Sequence, residues 1–144
     1  MTLKQNGTAM VEFALVLPFL LLLTFMTTEY SRALYQYNVL TKSVRDAVRY
    51  LSTQTPGDTT KYATAKNLVV YGNPAGSGTP LTIGLSTGLV PDPVWSNAGA
   101  APVINTVKIT ITGYTFMPLF ASVFGVTFGN ITYAPISATM RAPI

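Results

Sequence analysis

Residues Ala9–Met26 read AMVEFALVLPFLLLLTFM, apolar but for Glu12 and Thr24, and no charge occurs from Phe13 to Thr28. A hydrocarbon layer of about 30 Å needs a helix of about 20 such residues, so this run predicts a transmembrane helix. A secretory signal peptide, with Lys4 as its basic end, is the competing reading. It fits poorly: Glu12 interrupts the apolar stretch, and Thr27-Thr28-Glu29-Tyr30-Ser31-Arg32 follows where small residues should mark a cleavage site.

The run continues in helical register. Leu23, Met26, Tyr30, Ala33, Tyr37, Leu40, Val44, Ala47 and Leu51 recur at alternating spacings of three and four, a stripe for packing. Arg32, Gln36, Lys42, Arg45, Asp46 and Arg49 lie off it, with Glu29→Arg32 at i,i+3 and Lys42→Asp46 at i,i+4. Pro18 removes one backbone donor and is the expected kink. The expected helix covers residues 8–53, with 8–28 transmembrane and 29–53 amphipathic, roughly 65–70 Å in all at 1.5 Å per residue. The lower stripe is expected to pack chiefly on the chain's own C-terminal domain.

Residues 54–144 form the remaining domain. Pro56-Gly57 ends the long helix, Asp58 can cap a second one over Thr59–Val70, and Gly72-Asn73-Pro74 stops that. Ala75–Pro102 is rich in Gly, Pro, Ser and Thr, with a short strand-like Leu81–Leu85 and the one Trp, Trp95. Val107, Ile109 and Ile111 alternate with polar neighbours, as do Ile136, Ala138 and Met140, so both segments predict strands. Pro118–Phe124 is expected to form a helical turn before a short strand at Val126–Phe128. The expected class is α+β: a long helix, a short second helix and a small antiparallel sheet.

Composition narrows the chemistry. The chain of 144 residues has no Cys and no His, which removes disulfides, the usual zinc ligand sets and His-based triads. Only 10 % of residues are charged, against about 25 % in an average soluble domain. The nine basic residues outnumber five acidic ones but are scattered, which argues against nucleic-acid binding. Asp58 and Asp92, the acids beyond the long helix, fall in turns where capping accounts for them. No catalytic residue, metal site or cofactor is expected, and the chain is not expected to be an enzyme. The helix aromatics Phe13, Phe19, Phe25, Tyr30, Tyr35, Tyr37 and Tyr50 read as packing and interfacial residues rather than an electron path. Asn6-Gly7-Thr8 and Asn130-Ile131-Thr132 match glycosylation sequons by chance spacing.

Lys4-Gln5-Asn6-Gly7, a polar basic leader ending in Gly, is followed five residues later by Glu12 in an apolar helix. This layout resembles a type IV prepilin. The resemblance implies a leader of residues 1–7, cleavage by a prepilin peptidase between Gly7 and Thr8, and Glu12 as the fifth mature residue. In pilins such a Glu pairs with the free amine of the next subunit and sets the filament's stagger; the alternative is a Glu simply held at headgroup level. Thr8 stands where many type IV pilins have a Phe with a methylated amine, a departure that leaves methylation of this amine open.

Val11–Pro18 (VEFALVLP), Glu29-Tyr30-Ser31-Arg32-Ala33-Leu34-Tyr35 and Ser43-Val44-Arg45-Asp46-Ala47-Val48-Arg49-Tyr50 together look like the TadE-like family. Those are pilin-like or pseudopilin proteins of the Tad system, which builds Flp pili. The likeness is close over Gly7–Leu51 and only stylistic beyond. It implies a structural subunit, of minor rather than major type, engaged in pilus assembly and adhesion. The implied partners are other pilin-like subunits, the prepilin peptidase, the Tad assembly platform and the inner membrane before assembly. The basic residues Lys4 on one side and Arg32, Lys42 and Arg45 on the other do not orient the helix by themselves. The resemblance implies a C-terminal domain outside the cytoplasm, and later a place in an extracellular pilus or periplasmic pseudopilus. The rival of another class is a single-pass anchored periplasmic binding or assembly module that never polymerises.

Overall fold

The computed structural model describes residues 6–142; Met1–Gln5 of the expected leader, Lys4 among them, lie outside the described residues. The first element is one 47-residue helix, α1 (Asn6–Ser52), about 70 Å long at 1.5 Å per residue. It starts two residues before the expected boundary and ends one before it. Pro18 lies inside it without ending it. Two compact units divide the chain: residues 1–34 with 117–130, and residues 35–116 with 131–144.

The second unit holds the hydrophobic core. The C-terminal half of α1 contributes Leu40, Val44, Ala47, Val48 and Leu51, all fully buried. A 3-10 turn (Thr59–Lys61), N-capped by the Asp58 carboxylate on the Thr60 N–H at 2.9 Å, leads into α2 (Tyr62–Tyr71). That helix adds Ala65, Val69 and Val70 to the core and stops at Gly72, whose φ of 71° is the left-handed geometry a helix C-cap requires. An antiparallel sheet of order β1-β2-β7 completes it: β1 (Val94–Ala98), β2 (Ile104–Ile111) and β7 (Ile136–Arg141). Val107, Ile109 and Ile111 point inward while Lys108 stays exposed, as alternation dictates. A two-residue ladder, β3 (Thr115–Phe116) on β6 (Ile131–Thr132), extends the unit.

Three sequence expectations are corrected. Leu81–Leu85 is not a strand: its backbone follows turns, with the Leu81 N–H bonded to the Val70 carbonyl at 2.8 Å and Leu85 sunk into the core. Gly84, at φ 83°, breaks the extended run. Val94–Ala98, inside the stretch rich in Gly, Pro, Ser and Thr where no strand is expected, is an edge strand; Ser96 and Thr106 hydroxyls meet across it at 2.8 Å. Pro118–Phe124 forms no helical turn, because Ser122-Val123 (β4) pairs with Val126-Thr127 (β5). Both residues of the intervening loop have positive φ, Phe124 at 49° and Gly125 at 82°. That is the turn that matches strand twist, although a non-glycine residue there costs about 1–2 kcal/mol. Asp92 likewise makes more than a turn: its carboxylate meets Lys66 Nζ at 2.7 Å.

Candidate functional site

The N-terminal half of α1 is the structure's one segment, among the described residues, long and apolar enough to cross a membrane. Its most apolar stretch has a mean hydropathy of 2.3, and none of that stretch is buried within the chain. Phe13, Leu15, Val16, Phe19, Leu20 and Leu23 all face outward. A water-soluble fold would cover such a surface, since each fully buried Leu or Phe gains about 1.5–3 kcal/mol over an exposed one. The hydroxyls near its C-terminal end avoid that conflict. Thr24, Thr27, Thr28 and Ser31 each donate to the carbonyl four residues back, at 2.8–2.9 Å, so their O–H groups are satisfied inside the helix.

The expected processing residues, Gly7 and Thr8, are exposed in the first turns of α1, and no atom would crowd a Cβ at Gly7. Glu12 follows on the same exposed stretch and forms no ion pair among the described residues. A lone carboxylate on an apolar helix costs about 2.5–3.5 kcal/mol to insert in a bilayer. Pro18 is half-buried, and its ring nitrogen gives the Ala14 carbonyl no helical hydrogen bond.

Residues 117–130 belong to the same unit as this half-helix. Glu29 and Phe25 both tie the β4–β5 hairpin to it. Glu29, only 5 % exposed, accepts from the Leu119 N–H at 3.1 Å with one carboxylate oxygen and from Arg32 at 2.7 Å with the other. One helical turn earlier, Phe25 meets Phe120 edge-on with ring centroids 4.9 Å apart. Composition gave no warning of the role of Glu29 beyond its i,i+3 spacing to Arg32, because Leu119 lies 90 residues away.

The packing-stripe residues divide by burial. Ala33 is buried, and Leu40, Val44, Ala47 and Leu51 lie in the core. Tyr37 is part-exposed and stacks edge-on with Tyr133 at 5.6 Å, while Tyr30 is 65 % exposed. Tyr133 also lies 5.6 Å from Tyr114, and its burial raises its phenol pKa above the ordinary value. The Tyr114 hydroxyl lies 2.9 Å from the Ile83 carbonyl and 2.8 Å from Gln36 Oε1; with one proton to give, it needs the Gln36 amide turned to supply the second bond. A groove of about 390 Å³ opens beside Tyr35, Val39, Lys42, Asp46, Leu68 and Leu81.

Residues 7–49 match the family model described as TadE-like protein. The match spans the N-terminal segment, less than half of the chain. It covers the whole exposed apolar stretch, Glu12 and Glu29, and ends within the core-forming half of α1. Neither a curated protein nor a solved structure matches the chain.

Proposed function

We propose that the chain is a pilin-like structural subunit of a Tad-type pilus, of minor or pseudopilin type, acting in assembly and adhesion by polymerisation rather than catalysis. One observation carries the reading: an apolar helix half with no burial in its own chain is continuous with a helix half that builds a folded core. Such a helix needs a bilayer before assembly and neighbouring helices after it, since exposure to water forfeits the hydrophobic gain. Prepilin peptidase cuts between Gly7 and Thr8, the domain beyond the helix faces away from the cytoplasm, and the new Thr8 amine of one subunit pairs with Glu12 of another. Exposed Gly7 supports the cut, and an exposed Glu12 without an ion pair among the described residues supports the pairing.

Mass spectrometry of the mature N-terminus tests it. Co-expression with a Tad-type peptidase should remove Met1–Gly7, and a bulky residue at Gly7 should block the cut. Glu12→Ala should insert at least as well, because the acid's insertion cost is gone, yet lower the sheared extracellular fraction. A mature protein that keeps Met1, with an unchanged extracellular fraction for Glu12→Ala, would sink the subunit reading. The groove beside Lys42 and Asp46 then becomes the leading feature of an anchored, unpolymerised binding module.

A further inference from the structure

The hairpin of residues 117–130 has no place in the pairing of Glu12 or in the core. It reads MPLFASVFGVTFGN, and no charged residue occurs between Lys108 and Arg141. Met117, Leu119, Phe124 and Val126 are exposed, at 59, 69, 61 and 41 %. A free two-stranded hairpin with such a surface would be a poor element in water. Its attachment points place it at a particular level: Phe120 rests on Phe25, the next-to-last residue of the apolar run, and the Leu119 N–H bonds to Glu29, the first acid beyond that run.

We propose that this hairpin is a second membrane contact, lying in the lipid headgroup–acyl boundary beside the end of the transmembrane segment, with Phe124 and its apolar neighbours facing lipid. The inference rests on the reading that α1 spans a bilayer. Continuity with that span selects lipid as the occupant. An interfacial level also suits the backbone: strands of two residues leave N–H and C=O groups that the hydrocarbon centre cannot satisfy but headgroups and water can. Aromatic residues prefer this zone. Glu29 suits it as well, because its carboxylate is paired with Arg32 and hydrogen-bonded by the Leu119 N–H before it meets a low dielectric. Phe124 marks the contact most sharply. Asn or Gly would relieve its positive φ, yet a large apolar ring occupies the turn and stays exposed.

The sequence has no cysteine, so the full chain takes one nitroxide label at a chosen position. In vesicles of phosphatidylethanolamine and phosphatidylglycerol, labels on Phe124→Cys and Met117→Cys should collide several-fold more often with oxygen than with a water-soluble nickel chelate. A label on Thr55→Cys, in the exposed turn after α1, should show the opposite preference. Phe124→Asn, which fits the turn better, should keep the hairpin folded yet lower the oxygen preference at Met117→Cys. A label on Leu20→Cys reports the span separately. Lipid at Leu20 with water at both hairpin labels overturns the inference and leaves the span standing. Water at Leu20 overturns both. Shielding of the hairpin labels from both colliders, with spin–spin broadening between copies, overturns it in favour of a second subunit covering the hairpin.

Discussion

Glu29 shows how one side chain joins segments far apart in the sequence. Buried to 5 % exposure, its carboxylate would be costly unpaired, and both of its oxygens are engaged, one by Arg32 and one by the Leu119 N–H. Glu29→Ala removes both bonds and leaves the Leu119 donor without its acceptor, a loss of about 1–3 kcal/mol in hairpin attachment. Amide exchange at Leu119 should accelerate by roughly tenfold or more, while Glu29→Gln, which still offers an oxygen, should fall between the two. Unchanged exchange in Glu29→Ala would mean that contacts such as Phe25 on Phe120 hold the hairpin without the carboxylate. Asp58 acts at the same scale in water. The Thr60 hydroxyl and N–H, which bond its carboxylate, hold its pKa below the ordinary 3.8. A lowered folded-state pKa stabilises the fold above the unfolded value and loses that effect as pH falls through the folded one. Melting temperatures should therefore favour wild type over Asp58→Asn at neutral pH and converge in acid below 3.8; a gap independent of pH would assign the effect to cap geometry.

At the scale of elements, α1 is one helix with two surfaces. Leu51 is fully buried in the core and Leu20 is 54 % exposed. Leu51→Ala should cost about 2–5 kcal/mol in the unfolding of the core unit, and Leu20→Ala should leave that transition within about 0.5 kcal/mol. Equal effects in a denaturant titration would contradict this division of the helix. Both halves were legible, because an unbroken apolar run and a stripe at spacings of three and four are local patterns. The β2 and β7 strands were legible for the same reason, through Val107-Ile109-Ile111 and Ile136-Ala138-Met140. What escaped depends on distant partners. Val94–Ala98 carries Ser96 and Asn97 on a mostly exposed edge, and its identity as a strand comes from pairing with Ile104–Lys108. Phe124 hid the hairpin, because a turn of this kind announces itself by Asn or Asp before Gly, and here a Phe precedes Gly125. Leu119 as the partner of Glu29, 90 residues away, left no local pattern to read.

Across the whole molecule, charge and core are distributed unequally. Residues 54–144 carry only Asp58, Lys61, Lys66, Asp92, Lys108 and Arg141 as charged groups, yet the core lies in the unit that holds all of them. The unit built from residues 1–34 and 117–130 has instead an exposed apolar helix, Glu29 with its two partners and one aromatic pair. Its stability must therefore come largely from whatever solvates the helix, whereas the other unit is held by side chains of its own, from Leu40 to Ile136. Trp95 reports the second unit alone: it is half-buried in β1, opposite Val107, and is the one Trp of the chain. Denaturant unfolding followed by Trp95 emission should give a cooperative transition whose midpoint is the same in detergent micelles and in lipid vesicles. Exchange of the Leu119 amide should respond to that change of surroundings, slowing in lipid, because its unit has little core to hold it otherwise. A Trp95 midpoint that moves together with Leu119 exchange would mean that the two units unfold as one, with the apolar half of α1 stabilising the core rather than only anchoring it.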